Sequence, residues 1–174
     1  MLDEKRRKEA ESNVKNYLKE GLIKKEAFNP LVFNVLVRNA EESRDVAGLL
    51  HSGNHSNLWT IVVSYYSMYY IANAALYKLG YKVGDKIPHK VTADALIIFV
   101  RNKIKDSLIE QYEEIKDEAL AGIKADELIF SFDLERDKRG RIQYHTDEEV
   151  KRTKAATSIE RAKVFFLEMK KLIQ

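Results

Sequence analysis

Apolar positions recur at steps of three and four along most of this 174-residue chain, the spacing of helices with one buried face. Val14, Tyr17, Leu18, Leu22 and Ile23 make a thin stripe in a densely charged stretch, predicting a solvated amphipathic helix over residues 3–27. It should stop near Asn29-Pro30, because the residue before a proline disfavours the helical region. A second helix is predicted from Leu31 to His51, with Leu36, Ala40, Ala47 and Leu50 turned inward. Ser52 to Asn57 then supplies a helix stop and a fresh N-cap. The third helix should run from about Leu58 to Leu79, with Gly80 ending it and residues 81–87 forming a loop. Pro88 suits the first position of a fourth helix, whose buried positions include Val91, Ala95, Phe99 and Val100.

That register weakens at Asp106-Ser107, and Leu108, Tyr112, Ile115, Ala119 and Ile123 begin another stripe. Around Leu128-Ile129-Phe130 helix and short strand both remain open. The alternating charges of residues 133–141, with Gly140 among them, predict a loop or a frayed helix end. Thr146-Asp147-Glu148-Glu149 is a capping box, in which the Thr hydroxyl accepts a backbone N–H three residues on and Glu149 reaches back. Ala155, Ile159, Ala162, Phe166, Met169 and Ile173 then form the seam of a final helix. The expected fold is all-α: an up-and-down bundle of four to five core helices over residues 31–174, preceded by a charged helical extension over residues 1–30.

Composition sharpens this picture. With only 7 Gly and 2 Pro, a turn-rich β-sandwich is disfavoured. The absence of Cys removes disulfides, thiolate nucleophiles and the usual structural zinc sites. A net charge of +3 permits nucleic-acid binding without requiring it. Residues 54–77 carry no formal charge, a length that can span a bilayer. However, Thr60, Ser64, Ser67 and Asn73 are polar, and Tyr65, Tyr66, Tyr69 and Tyr70 lie mid-segment, away from the ends where membrane-interface aromatics gather. The segment therefore reads as the centre of a bundle or a dimer seam. With a charged start and no signal peptide, a cytoplasmic protein with no membrane association is expected. Its wide apolar circumference argues for a homodimer.

Candidate chemistry is sparse. There is no phosphate-binding Gly-rich loop and no Gly-x-Ser-x-Gly elbow, so conventional nucleotide or serine hydrolysis has no support. His51 and His55 have zinc spacing, but Ser52-Gly53-Asn54 breaks the helix between them, and neither a metal nor a cofactor is expected. His89, beside Pro88 at a helix start, is either a neutral clamp on an adjacent helix or an anion contact. Arg136, Lys138, Arg139 and Arg141 stand just before His145 and the Thr146 cap. Helix N-termini attract phosphate, arginines add bidentate donors, and an imidazole there can deprotonate an RNA 2′-hydroxyl. Asp133, Glu135 and Asp137 offset that charge, so a plain solvated charge run is the other reading.

The segment from Val35 to Leu79 resembles the HEPN superfamily of small helical bundles, above all in Ala47-Gly48-Leu49-Leu50 and in Ser64-Tyr65-Tyr66-Ser67-Met68-Tyr69-Tyr70-Ile71-Ala72-Asn73-Ala74-Ala75-Leu76. Gly80 and His89 fill the family's next two places, and Arg139-Gly140-Arg141-Ile142-Gln143-Tyr144 resembles its Arg-x-x-Ala-Asp-Tyr element, with Gln143 where Asp is common. The resemblance implies a bundle that dimerises and, in many members, pairs as a toxin with a nucleotidyltransferase antitoxin. Catalytic members are ribonucleases carrying Arg-x4-6-His near the last helix; Arg139 and His145, five residues between them, fit that spacing, although Gly140 replaces the usual polar residue. The resemblance implies an RNA-binding protein that, in a catalytic version, would be a metal-independent, toxin-like endoribonuclease acting as a homodimer. His145 would be the base, Arg139 would stabilise the transition state, and Arg136, Arg141 and Tyr144 would contact phosphate or RNA. The alternative it implies is a non-catalytic module that docks a nucleotidyltransferase or a nucleotide.

Overall fold

The structure, a computed structural model, describes the backbone of residues 3–133 and 145–174 and the side chains of residues 3–124 and 151–174. Among the described residues there are six helices: α1 (Glu4–Glu20), α2 (Pro30–Ser52), α3 (Asn57–Lys78), α4 (Pro88–Phe99), α5 (Asp106–Asp133) and α6 (His145–Ile173). Two short strands, β1 (Ile23–Lys25) and β2 (Tyr81–Val83), pair antiparallel with Ile23 opposite Val83. The molecule is a helical bundle, as the periodicity predicts.

The uncharged α3 is its axle, packed against α2, α4, α5 and α6. Ser56 caps it by accepting the Trp59 N–H at 3.2 Å, and Ser67 Oγ donates to the Ala40 carbonyl of α2 at 2.9 Å. Asn73 and Thr92 bond across to α4. Ser67 and Asn73 of this segment thus meet protein partners where a membrane would offer none. Among the described residues no helix is long and apolar enough to cross a membrane. Four helices of the same chain cover most of α3, leaving the face of Trp59, Tyr66 and Tyr70 partly open.

Two local expectations are corrected, and one left open is decided. The first helix stops at Glu20, short of the proline, because Gly21 takes the left-handed conformation (φ 71°) and returns its N–H to the Tyr17 carbonyl. Residues 23–25 then turn from helix to strand, with Ile23 fully buried. The loop after Gly80 (φ 87°) contains β2, and Tyr77 Oη donates to the Ala27 carbonyl, tying the linker before α2 to the end of α3. Residues 128–130 continue α5 and form no strand. In α6, Ala155, Ile159, Ala162, Phe166, Met169 and Ile173 are all buried, as their spacing predicts.

Candidate functional site

Arg136, Arg139, Arg141 and Tyr144 lie outside the described residues. His145 is the first residue of α6, and its side chain, like the capping box after it, lies outside them too. His51 and His55 fall on either side of the α2 terminus, which keeps them off a common helical face. Of the residues proposed to contact RNA or an anion, His89 is the one described with its side chain.

His89 is the second residue of α4, and its Nδ1 lies 2.7 Å from Tyr65 Oη on α3. Burial pushes the Tyr65 pKa well up, so the phenol keeps its proton. The tautomer of the neutral ring sets which of the two donates. The ring sits among tyrosines, with centroids 4.8 Å from Tyr69, 5.5 Å from Tyr65 and 5.9 Å from Tyr66. Burial, and after it the nearby Lys116 ammonium, lower the His89 pKa below its ordinary value. The unfolded chain therefore takes up this proton first as the pH falls. Stability from the neutral ring is complete above the ordinary histidine range and is lost as the pH drops through the folded pKa. Urea titrations should show a shallower loss of stability below about pH 6.5 for His89→Gln than for the parent. Identical pH profiles would show that the ring is not held neutral.

On its other side His89 lines an open cleft of about 630 Å³ together with Arg6, Glu9, Ile87, Lys90, Glu113, Lys116, Asp117 and Leu120. Three cations face three anions there. Arg6 is bound to Glu113 at 2.6 Å, and Lys116 lies 3.2 Å from Asp117. Such a balance suits an uncharged or zwitterionic guest, for instance the edge of a nucleobase, better than a free polyphosphate. Ile87 at the mouth has φ 44°, a costly conformation for a β-branched residue.

Behind the cleft a polar network joins α1 to the bundle. Asp94 of α4, fully buried in an apolar helix, accepts from Tyr17 Oη at 2.9 Å and Asn13 Nδ2 at 3.0 Å and pairs with Arg6 at 2.7 Å. Burial opposes the charge on Arg6, but hydrogen bonds and attraction from Glu113 and Asp94 outweigh it and raise its pKa. Sequence reasoning missed this node. Its signal was present, since Asp94 is the one charged residue between Val91 and Val100.

A second feature was hidden inside the "core" reading of α3. Trp59, Val63, Tyr66 and Tyr70 follow at steps of four, three and four and so share a face. Trp59 is half exposed, and Tyr66, Tyr69 and Tyr70 are only partly buried. Tyr66 and Tyr70 centroids lie 6.0 Å apart, and those of Tyr69 and Tyr70 5.5 Å. The result is a run of aromatic rings along one open face, with His89 joining it to the cleft. Among known proteins, no family model, no curated protein and no solved structure matches the chain.

Proposed function

We propose that this chain is a HEPN-type bundle that binds single-stranded RNA, using the open tyrosine face of α3 to stack bases. The observation that carries the reading is the cluster of partly exposed rings Tyr66, Tyr69 and Tyr70 next to the neutral His89, with half-exposed Trp59 further along the same helix. Aromatic faces of this kind hold unpaired bases with little regard to sequence. The charge-balanced cleft beyond His89 offers room for a base edge. The arginines at 136, 139 and 141 are the natural phosphate contacts. In the cleaving form of the proposal, His145 takes the 2′-hydroxyl proton and Arg139 steadies the charge growing on phosphorus.

Fluorescence anisotropy with a labelled single-stranded RNA of about 12 nucleotides tests the binding step. Replacing Tyr66 and Tyr70 together with Ala should weaken binding by about tenfold or more, since each stacked base contributes about 1–3 kcal/mol. The corresponding Phe variants should retain binding, because stacking needs the ring and not the hydroxyl. Absence of binding by the parent protein, or equal binding by the Ala variant, overturns the proposal.

A further inference from the structure

One end of the bundle gathers positive charge and exposed apolar side chains from two distant stretches of chain. β1 and the linker after it supply Lys24, Lys25 and Phe28, and the end of α3 with β2 supplies Lys78, Leu79 and Lys82. The Glu26 N–H donates to the Gly80 carbonyl and Tyr77 Oη to the Ala27 carbonyl, fixing the two stretches side by side. The strand register sets Lys24 directly opposite Lys82, where like charges repel. Glu26 pairs with Lys82 at 2.9 Å and is the one acidic residue within residues 23–31 and 77–83. Lys24, Lys25 and Lys78 form no ion pair with any described residue. The Lys78 ammonium lies over the Phe28 ring, 5.4 Å from its centroid, and so joins the charge to the apolar part. Phe28 is 47% exposed, Leu79 39%, and Leu31 in the first turn of α2 75%. The exposed Val46 and Leu49 farther along α2 have Glu42 and Asp45 beside them and offer no such one-signed setting.

We infer that this end of the bundle docks on the surface of an anionic lipid bilayer. Phe28, Leu31 and Leu79 enter the boundary between headgroups and acyl chains, and the lysines reach back to the lipid phosphates. The lysines choose the sign of the partner. Glu26 serves only Lys82, so the repulsion between Lys24 and Lys82 is relieved by negative charge brought from outside. The apolar side chains choose its kind. A nucleic-acid backbone would take the lysines but leave Leu31 and Leu79 in water, whereas a bilayer interface covers both. Such docking needs no spanning helix. It departs from the expectation of no membrane association, because its lysines come together only through the pairing of β1 with β2. The surface involves neither the tyrosine face of α3 nor residues 136–145, so it stands independently of RNA binding.

Co-sedimentation of the full chain with vesicles tests it, comparing phosphatidylcholine alone with phosphatidylcholine containing about 30% phosphatidylglycerol. The parent should bind the anionic vesicles and not the neutral ones, and about 0.5 M salt should weaken that binding. Lys24→Gln and Lys25→Gln should each weaken it about fivefold, and Leu31→Ser about tenfold. As the chain has no Cys, a polarity-sensitive dye on Leu31→Cys reports insertion cleanly. Its emission should shift to the blue with anionic vesicles, whereas the same dye on Leu49→Cys, about 27 Å along α2, should not respond. Inorganic phosphate and glycerol phosphate should move neither dye, since a free headgroup offers Leu31 nothing to enter. No binding to anionic vesicles, or equal binding to neutral ones, overturns the inference. So do unchanged affinities of the three variants, or an equal response at both dye positions. A response at residue 31 to single-stranded RNA, with none to vesicles, would assign the lysines to nucleic acid and overturn it as well.

Discussion

Asp94→Ala is expected to destabilise the chain by about 3–5 kcal/mol, lowering its melting midpoint by roughly 6–20 °C. The carboxylate is fully buried, and its three partners, Arg6, Asn13 and Tyr17, all belong to α1. Its removal leaves the Tyr17 hydroxyl and the Asn13 amide without their acceptor and Arg6 with Glu113 alone. Each unpaired polar group then bears its desolvation cost. Arg6→Ala should cost less than Asp94→Ala, because the Arg6 side chain is still 23% exposed and its loss leaves Asp94 with two hydrogen bonds. Asp94→Asn keeps an acceptor oxygen and should fall between the parent and the Ala variant. Urea unfolding gives the energies, and native-state hydrogen exchange should show α1 opening first in the Ala variant. A loss below about 1 kcal/mol would mean that α1 is held by its apolar contacts alone.

Those apolar contacts were the legible part of the sequence. Ala155 through Ile173 and Leu108 through Ala119 announce themselves because burial on one helical face imposes a period of 3.6. Helix boundaries were legible where a specific residue sets them, as at Ser56 and Pro88. They were misjudged where the signal was non-local. Strands of three residues carry no usable alternation, and β1 pairs with β2 across more than fifty intervening residues, so neither strand shows in its own neighbourhood. The same limit explains the reading of α3. Its lack of charge states that nearly every face is covered, but not whether the cover comes from four helices of one chain or from a second subunit. Only the packing distinguishes the two.

The chemistry was less legible than the fold because its residues are far apart along the chain. Tyr65, His89 and Tyr112 come from α3, α4 and α5, and Arg6, Asp94 and Glu113 from α1, α4 and α5. A lone Asp in an apolar helix signals a buried partner without saying which one. The tyrosines show the opposite problem. Their number in α3 was plain, yet a ring in the core and a ring at the rim of a cleft look alike until neighbours are placed. The Trp59–Val63–Tyr66–Tyr70 spacing does mark one face, and exposure then identifies that face as the open one.

For the cleaving form of the RNA proposal, His145→Ala is expected to slow cleavage of single-stranded RNA in EDTA by about 10²–10⁴-fold, the usual worth of a general base. α6 begins at His145, so a phosphate held there meets free backbone N–H groups and the positive end of the helix dipole. Arg139→Ala should cost about 10²–10³-fold, as a charge placed where the phosphorane becomes more negative, and Arg139→Lys should recover part of it. Gel analysis of labelled RNA gives the rates, and anisotropy on the same samples separates chemistry from binding. His145→Ala should bind as the parent does, whereas the Tyr66 and Tyr70 variants should lose affinity. Undiminished cleavage by His145→Ala would remove that histidine from the mechanism. No cleavage by the parent, with RNA binding intact, would leave the stacking face of α3 as the functional surface and reduce the arginines to phosphate contacts.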